Sequence, residues 1–194
     1  MTKLICVLHG HTDWNSVPGS DPAKKRLQGQ SVDLELNDYG IKTIKELSQK
    51  LAEENHGISK IISSHLKRSR QTGQMISKVL GVPLVVDSRL RECDFGSLEG
   101  RFLGDIEEFY RAMRKEFPFW NGSFKEYDFR SFGGESLEEV LVRQTELIKE
   151  LSEKYSDETI LLVGHSTALN TLLHGLGETP DLKRGEWRVI QAEL

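Results

Sequence analysis

Residues 3–8 read Lys-Leu-Ile-Cys-Val-Leu, a short and nearly continuous apolar run that ends at His9-Gly10-His11. Such a run is typical of a strand that is buried on both faces of a sheet. Similar runs recur at 58–64, 83–87 and 159–164, the last being the clearest of them. The sequence therefore predicts several buried strands spread along the chain.

Segments with helical periodicity separate these strands. Apolar residues recur every three or four positions in 38–54 and 67–80, and residues 166–176 also read as a helix. Ser136-Leu137-Glu138-Glu139 fits a capping box at the start of another helix. Strands that alternate with helices predict a mostly parallel sheet covered on both faces, which is an α/β three-layer α/β/α sandwich. Residues 187–190 are predicted to add an edge strand.

Length and composition favour a single domain. The 194 residues predict one domain over 1–194, with a small cap insertion at about 101–134 that is rich in aromatic residues. A net charge of −4 argues against a nucleic-acid partner. No apolar stretch approaches the length of a membrane span or of a signal segment, so we expect a cytoplasmic protein with no membrane partner.

Polar residues follow the predicted strands at the sheet edge where parallel α/β proteins bind ligands. His9 follows the first strand and His165 follows the strand at 159–164. Arg68 and Glu92 follow the other two. A neutral imidazole can attack phosphorus, an arginine can bind phosphate oxygens and a carboxylic acid can protonate a leaving group. This combination predicts an oxyanion site.

Six ordered motifs between residue 4 and about residue 173 resemble the histidine phosphatase superfamily, which includes the cofactor-dependent phosphoglycerate mutases. They are similar to that family's Arg-His-Gly-x-(Thr/Ser)-x-x-Asn, Arg-x-Gln-Gly, Ser-Ser-x-Leu-x-Arg-Ala-x-Gln-Thr, Leu-x-Glu-x-x-Phe-Gly-x-x-Glu-Gly, Gly-Gly-Glu-Ser and Val-x-His-Gly. In this chain the corresponding stretches are 8–15, 26–29, 63–72, 90–100, 133–136 and 163–166. A seventh stretch, 33–40, is similar to Asp-x-Pro-Leu-Thr-x-x-Gly.

The resemblance implies a role for each matching residue. His9 would be the nucleophile that becomes phosphohistidine, and Glu92 would donate a proton to the leaving group. Arg68 and His165 would hold the phosphoryl oxygens. The substrate side would be lined by Gly10, Asn15, Arg26, Gln28, Ser166 and Thr167. The family needs no metal, and 2,3-bisphosphoglycerate would be a cofactor only in a mutase.

Leu8 departs from the family pattern, which has an arginine there that points into the phosphate pocket. Losing one charged donor at the reacting centre costs on the order of 2–4 kcal/mol. Either another cation, such as Lys24, Arg89 or Arg91, reaches the pocket, or the chain has kept binding and lost most of its catalysis. The change Leu8→Arg is on this basis expected to raise activity several-fold. Smaller departures are Ser166-Thr167 for Gly-Gly and Asn170 for a frequent arginine.

The expected function is hydrolysis of a small phosphorylated substrate, because the chain is shorter than the mutases of this family. A phosphoglycerate mutase and a phosphate-ligand binding protein remain alternatives. The spacing His9-x-His11-x-Asp13 would also suit a metal, although Trp14 stands where a metallohydrolase would have a further histidine. A homodimer through the predicted edge strand is a further hypothesis.

Overall fold

The protein is described from a computed structural model that covers residues 2–15, 21, 24–106 and 128–192. Within these ranges the elements alternate along the chain as the sequence predicts. The strands are β1 (Thr2–Leu8), β2 (Ile58–Ser63), β3 (Leu84–Val86), β4 (Thr159–Gly164) and β5 (Trp187–Ala192). The helices are α1 (Asp38–Glu54), α2 (Lys67–Leu80), α3 (Leu137–Lys154) and α4 (Ser166–Gly175).

These strands form one sheet in the order β3-β2-β4-β1-β5. The pairs β1–β4, β2–β4 and β2–β3 are parallel, whereas β5 pairs with β1 in the antiparallel direction. The predicted mostly parallel α/β sheet is confirmed, and the predicted edge strand is β5. Because β1 and β4 are parallel neighbours, the residues that follow them emerge at the same edge of the sheet.

The side chains of β1 alternate between two apolar cores. Leu4, Cys6 and Leu8 lie in the cluster that also contains buried residues of α3 and α4. Ile5 and Val7 lie in the cluster on the opposite face, with residues of α1 and α2. This period-two alternation is what a strand that is covered on both faces requires. The described helices therefore cover both faces, which makes the three-layer sandwich.

The predicted cap insertion lies largely outside the described residues, which omit 107–127. Its described ends contribute to a third apolar cluster that includes Phe95, Ile106 and Phe129. The rings of Phe95 and Phe129 meet edge to face, with centroids 5.0 Å apart. Of the aromatic residues in this insertion, Phe129 is buried in the cluster, while those in 117–127 lie outside the described ranges.

Two helix caps match local sequence signals. The capping box of α3 is confirmed, with Ser136 and Glu139 bonded reciprocally. At α1, the Asn37 side chain accepts a hydrogen bond from the Gly40 N–H. A Cβ at Gly40 would lie only 2.2 Å from the carbonyl oxygen of His11. Glycine at this position therefore lets α1 pack directly on the loop that carries His9 and His11.

None of the helices in the described ranges has the length and apolarity to cross a bilayer. The single-domain boundary and the cellular compartment stay predictions.

Leu8 is only 1% exposed and belongs to the core between the sheet and helices α3 and α4. We expect Leu8→Arg to lower the free energy of unfolding by about 3 kcal/mol, because it places a charged group among apolar side chains. Leu8→Met, which keeps the volume, should cost less than about 1.5 kcal/mol. Urea unfolding followed by circular dichroism measures both, and equal stability of the two variants would contradict this assignment.

Candidate active site

Two histidines meet where β1 and β4 end. His9 follows β1 and His165 caps α4 after β4, and their ring centroids are 5.1 Å apart. Both residues are almost completely buried. The prediction that the parallel strands bring these two histidines together is therefore confirmed.

The hydrogen bond of His9 identifies the ring nitrogen that is free to react. Its Nδ1 lies 2.6 Å from the Gly10 carbonyl oxygen, which accepts only from a protonated Nδ1. The lone pair of the neutral ring is then on Nε2. Burial is the largest cause that holds the pKa of His9 well below its usual value, and the charges of Arg184 and Arg68 add to it. His9 is therefore a neutral imidazole at neutral pH, as a nitrogen nucleophile must be.

Arg68 supplies buried donors beside this ring. It lies in the first turn of α2 and is completely buried, and its Nη2 donates to the Gly29 carbonyl oxygen at 2.7 Å. Its Nε and Nη1, and both ring nitrogens of His165, have no hydrogen-bond partner among the described residues. A buried donor without a partner costs about 1–3 kcal/mol, so a group of them indicates a place for a ligand with several acceptors. A phosphoryl group has three such oxygens.

Glu92 is buried at the N-terminus of α4. Its Oε1 accepts from the backbone N–H groups of Cys93 and Ala168, both at 2.9 Å, and its Oε2 accepts from that of Thr167 at 3.2 Å. Burial raises the pKa of Glu92, while these N–H groups and the charge of Arg68 oppose the rise. A carboxyl group with a raised pKa is suited to donate a proton near neutrality.

Arg184 also lies at this site, although no sequence pattern singled it out. It is half-buried in the loop between α4 and β5, and its Nη2 lies 3.3 Å from the Nε2 of His9. Burial lowers its pKa to about 10, so the guanidinium is still charged at neutral pH. One signal could have found it. The start of β5 pairs antiparallel with the end of β1, Trp187 opposite Val7, so residues just before β5 must lie near His9.

Three cations were considered as replacements for the arginine that the family has at position 8, and all three make contacts other than with His9. Arg89 forms ion pairs with Asp87 and Glu150, at 2.7 and 2.8 Å. Arg91 forms one with Glu135 at 2.6 Å, and Lys24 is exposed. These three cations are therefore not the ones that the structure places at His9, because two of them are paired with carboxylates and the third faces solvent.

Gly10, Asn15 and Gln28 are all held by hydrogen bonds within the protein. The Gly10 N–H donates to the Thr72 hydroxyl at 3.0 Å, and a Cβ at Gly10 would lie 2.8 Å from Ile44. Packing against α1 by itself therefore requires glycine here. The Thr12 hydroxyl lies 3.2 Å from Asn15 Oδ1 and 2.9 Å from Gln28 Oε1. The buried Gln28 Nε2 has no partner among the described residues and can donate to a ligand.

The remaining candidates are at least partly occupied by the protein itself. Arg26 donates to the Gly100 carbonyl oxygen at 2.7 Å and lies 3.9 Å above the Phe102 ring, so it fastens two loops together. Ser166 and Thr167 form the first turn of α4, as predicted. The backbone N–H groups of Thr167 and Ala168 donate to the Glu92 carboxylate. The helix dipole therefore acts on the carboxyl group.

No group of three or more metal-ligating side chains converges within the described ranges. The His11 ring packs edge-on against Tyr39, with centroids 5.0 Å apart, and Asp13 is exposed. His9, His11 and Asp13 thus point into different surroundings, which does not favour the metal interpretation of their spacing.

Comparison with known proteins extends over nearly the whole chain. The sequence model of the histidine phosphatase superfamily (branch 1) matches residues 4–193. The probable phosphoglycerate mutase GpmB of Salmonella paratyphi A is 34% identical over 173 residues, which are 89% of this chain and 74% of that protein.

Solved structures of phosphatases share the fold. The phosphoserine phosphatase of Entamoeba histolytica, solved with 3-phosphoglyceric acid, is 26% identical, with a TM-score of 0.73 over 97% of this chain and 90% of that one. A mycobacterial glucosyl-3-phosphoglycerate phosphatase has a TM-score of 0.76 at 24% identity, over 98% and 90% of the two chains. At that identity the second likeness concerns the fold alone.

Proposed function

Because the chain belongs to the histidine phosphatase superfamily (branch 1), and is therefore an enzyme of that type, we propose that it is a metal-independent phosphomonoester hydrolase. The reaction passes through a phosphohistidine at His9. One observation carries it: the neutral His9 presents Nε2 next to buried guanidinium and imidazole donors that lack partners. The positive charge that a metal would bring to the transferring phosphoryl group comes here from Arg68 and Arg184.

In the first half-reaction the lone pair of His9 Nε2 attacks phosphorus and the ester P–O bond breaks. Glu92 donates its proton to the departing oxygen, which leaves as an alcohol. Arg68 and His165 donate to the non-bridging oxygens, where charge is spread in the transition state. Their donors are buried and already removed from water, so little further desolvation is needed when the reaction begins.

In the second half-reaction water attacks the phosphohistidine. The Glu92 carboxylate accepts a proton from that water, the N–P bond breaks, and inorganic phosphate leaves with His9 neutral again. The same residue thus acts first as acid and then as base, and both forms are accessible because burial raises its pKa while N–H donors stabilise the anion.

A phosphoglycerate mutase is the second candidate, and the 34% identity to a probable mutase favours it. It would use the same first step but pass the phosphoryl group to a second hydroxyl, with 2,3-bisphosphoglycerate as cofactor. The third candidate is a phosphate-binding protein without turnover, and the reason to consider it is that Leu8 replaces an arginine of the site. Arg184 weakens that reason, because it places a guanidinium beside His9.

The proposed substrate is a small phosphomonoester, without a nucleic-acid or membrane partner. The solved phosphatase that is 26% identical acts, by its name, on phosphoserine. Phosphoserine is a small anionic metabolite, and we include it in the proposed substrate class. Association of two copies through the β5 edge also stays a prediction.

The test combines turnover with capture of the intermediate. An aryl phosphate and a panel of small phosphomonoesters are assayed with a chelator present, and the enzyme is denatured during turnover in alkali or in acid. We expect chelator-resistant release of phosphate and a protein-bound phosphoryl group that survives alkali and is lost in acid, as a phosphoramidate should be. Absence of phosphate release across the panel and the pH range would contradict the hydrolase. Isomerisation of 3-phosphoglycerate only when 2,3-bisphosphoglycerate is added would instead establish the mutase.

A further inference from the structure

We propose that Arg184 is a catalytic residue that clamps the transferring phosphoryl group, in place of the arginine that precedes the nucleophile in the family pattern and is Leu8 here. The guanidinium would thus reach the phosphate from the loop before β5 rather than from the end of β1. This inference rests on the proposed function and names a further residue of that same site.

The contacts of Arg184 place its donors at the reacting atom. Its Nη2 lies 3.3 Å from His9 Nε2, the nitrogen that carries the lone pair. Its Nε is buried and has no hydrogen-bond partner in the described part of the chain. It also interacts electrostatically with Glu92 and Arg68. The guanidinium therefore lies at the nucleophile and within electrostatic range of the proposed acid and of Arg68.

The loop that carries Arg184 is fastened to the core two residues earlier. The Asn170 side chain donates to the Leu182 carbonyl oxygen at 3.4 Å and accepts from the Leu182 N–H at 2.9 Å. The Leu182 side chain is 5% exposed and lies in the same apolar cluster as Leu8. An ion pair between Asp181 and Arg188 joins the loop to β5. Asn170 is thus a positioning residue, and it is itself one of the departures from the family pattern.

The pairing of the strands explains how Arg184 can take the place of an arginine at position 8. Leu8 belongs to the face of β1 that packs on α3 and α4, where its side chain completes an apolar core. The antiparallel pairing of β5 with β1 brings the loop before Trp187 over the end of β1. Strand β1 thus contributes the apolar side chain of Leu8 to the core, while the loop before β5 supplies the positive charge of Arg184 to the site. Arginine suits this role because its planar guanidinium can bind two phosphate oxygens at once.

Without substrate, Arg184 donates to the His9 lone pair and so keeps this nitrogen unprotonated. When a phosphomonoester enters, its oxygens compete for that donor and the Nε2 lone pair is released toward phosphorus. The groups that act on His9 are the Arg184, Arg68 and His165 side chains, the His11 side chain and the Gly10 carbonyl oxygen. Removing Arg184 deletes one of the two arginine charges that hold the pKa of His9 down.

The test compares Arg184→Gln with Lys183→Gln, which removes the same charge from the neighbouring exposed residue of the loop. We expect Arg184→Gln to lower kcat about 10²- to 10³-fold, the cost of losing one donor aimed at developing charge. Its affinity for orthovanadate, whose oxygens imitate the transferring group, should fall by at least about tenfold. Lys183→Gln should stay within about twofold of wild type in both measurements.

The pH profile separates a catalytic role from a structural one. The acid limb of kcat/KM reports protonation of the free enzyme's nucleophile. We expect it to move to higher pH in Arg184→Gln, because the pKa of His9 rises when a neighbouring cation is removed. Asn170→Ala should move it the same way by a smaller amount, since Arg184 is then held less firmly. An unchanged acid limb in both variants would overturn the inference.

Failure of this inference and failure of the proposed function give different results. If wild type hydrolyses phosphomonoesters and Arg184→Gln retains full activity, the inference is overturned while the hydrolase stands. If wild type shows no turnover, orthovanadate binding decides: weaker binding by Arg184→Gln supports the clamp, and equal binding overturns it. Should Arg184→Gln fail to fold, Arg184→Lys replaces it, and unchanged kcat/KM and vanadate affinity would overturn the inference.

Leu8→Arg provides a complementary outcome. Since Arg184 already supplies the charge, the several-fold gain expected from the sequence should not occur. A several-fold gain in kcat/KM for folded Leu8→Arg would show that the site lacks a cation and would overturn the assignment of Arg184.

Discussion

Replacing His9 with alanine is expected to reduce phosphomonoester hydrolysis by at least about 10⁴-fold, because the substitution removes the atom that bonds to phosphorus. The remaining donors, those of Arg68, Arg184 and His165, would still bind the anion and leave a small residual rate. The phosphoenzyme that we expect on quenching wild type in alkali should be absent from this variant. Both quantities are measured on the same enzyme preparation by phosphate release and by counting radiolabelled protein.

His11→Ala is the matched control for this experiment. It removes an imidazole two residues away that packs on Tyr39 and is only partly buried. We expect it to retain activity within about tenfold and to keep its phosphoenzyme. If His9→Ala kept its phosphoenzyme while His11→Ala lost it, the nucleophile would be His11 and the proposed mechanism would be wrong.

Replacing Glu92 with glutamine should produce a loss that depends on the leaving group. Glutamine keeps the size, and its Oε1 can still accept from the N–H groups of Cys93 and Ala168, but its NH2 group cannot accept from Thr167. It also cannot protonate the leaving oxygen. An alkyl phosphate has a basic leaving oxygen that needs the proton, so we expect kcat/KM to fall about 10²- to 10⁴-fold. With an acidic nitrophenol as leaving group the loss should be less than about tenfold.

The pH dependence expected for Glu92→Gln follows from the raised pKa of Glu92 in wild type. Burial raises the pKa of Glu92, so the wild-type enzyme should lose its acid and its activity on alkyl phosphates as pH rises through that raised value. Glutamine has no proton to lose, so this alkaline limb should be absent in the variant. Glu138→Gln, at an exposed position in the first turn of α3, should leave both limbs in place. Equal losses with alkyl and nitrophenyl substrates would argue against Glu92 as the proton donor.

Local sequence patterns predict a large part of the candidate site. The apolar runs at 3–8 and 159–164 predicted two buried strands, and parallel topology then required His9 and His165 to emerge at one edge. The pairing of β1 with β4 and the 5.1 Å between the rings confirm that step. Helix caps at Asn37 and Ser136 follow equally from neighbouring residues. These features depend on interactions between residues close in sequence, or on the general geometry of parallel sheets.

Other roles depended on contacts that no local pattern encodes. Gly10 was expected to admit substrate, yet the structure shows that α1 occupies the space of its absent side chain. Arg26 was expected to bind substrate, yet it holds the Gly100 carbonyl oxygen and the Phe102 ring. Thr167 was expected to line the substrate side, yet its N–H donates to Glu92. In each case a residue distant in sequence competes successfully for the same group.

The sequence by itself determined the mostly parallel sheet, the alternation of strands and helices along the chain, and the two histidines at the sheet edge. Periodicity and parallel pairing are local or topological properties. Only the tertiary structure decided that Leu8 belongs to the core and that Arg184 stands beside His9 in its place. The two residues are 176 positions apart, and their proximity results from antiparallel pairing of the last described strand with the first. A charge at a site is conferred by whichever chain segment folds over it, and adjacency along the chain does not fix which segment that is.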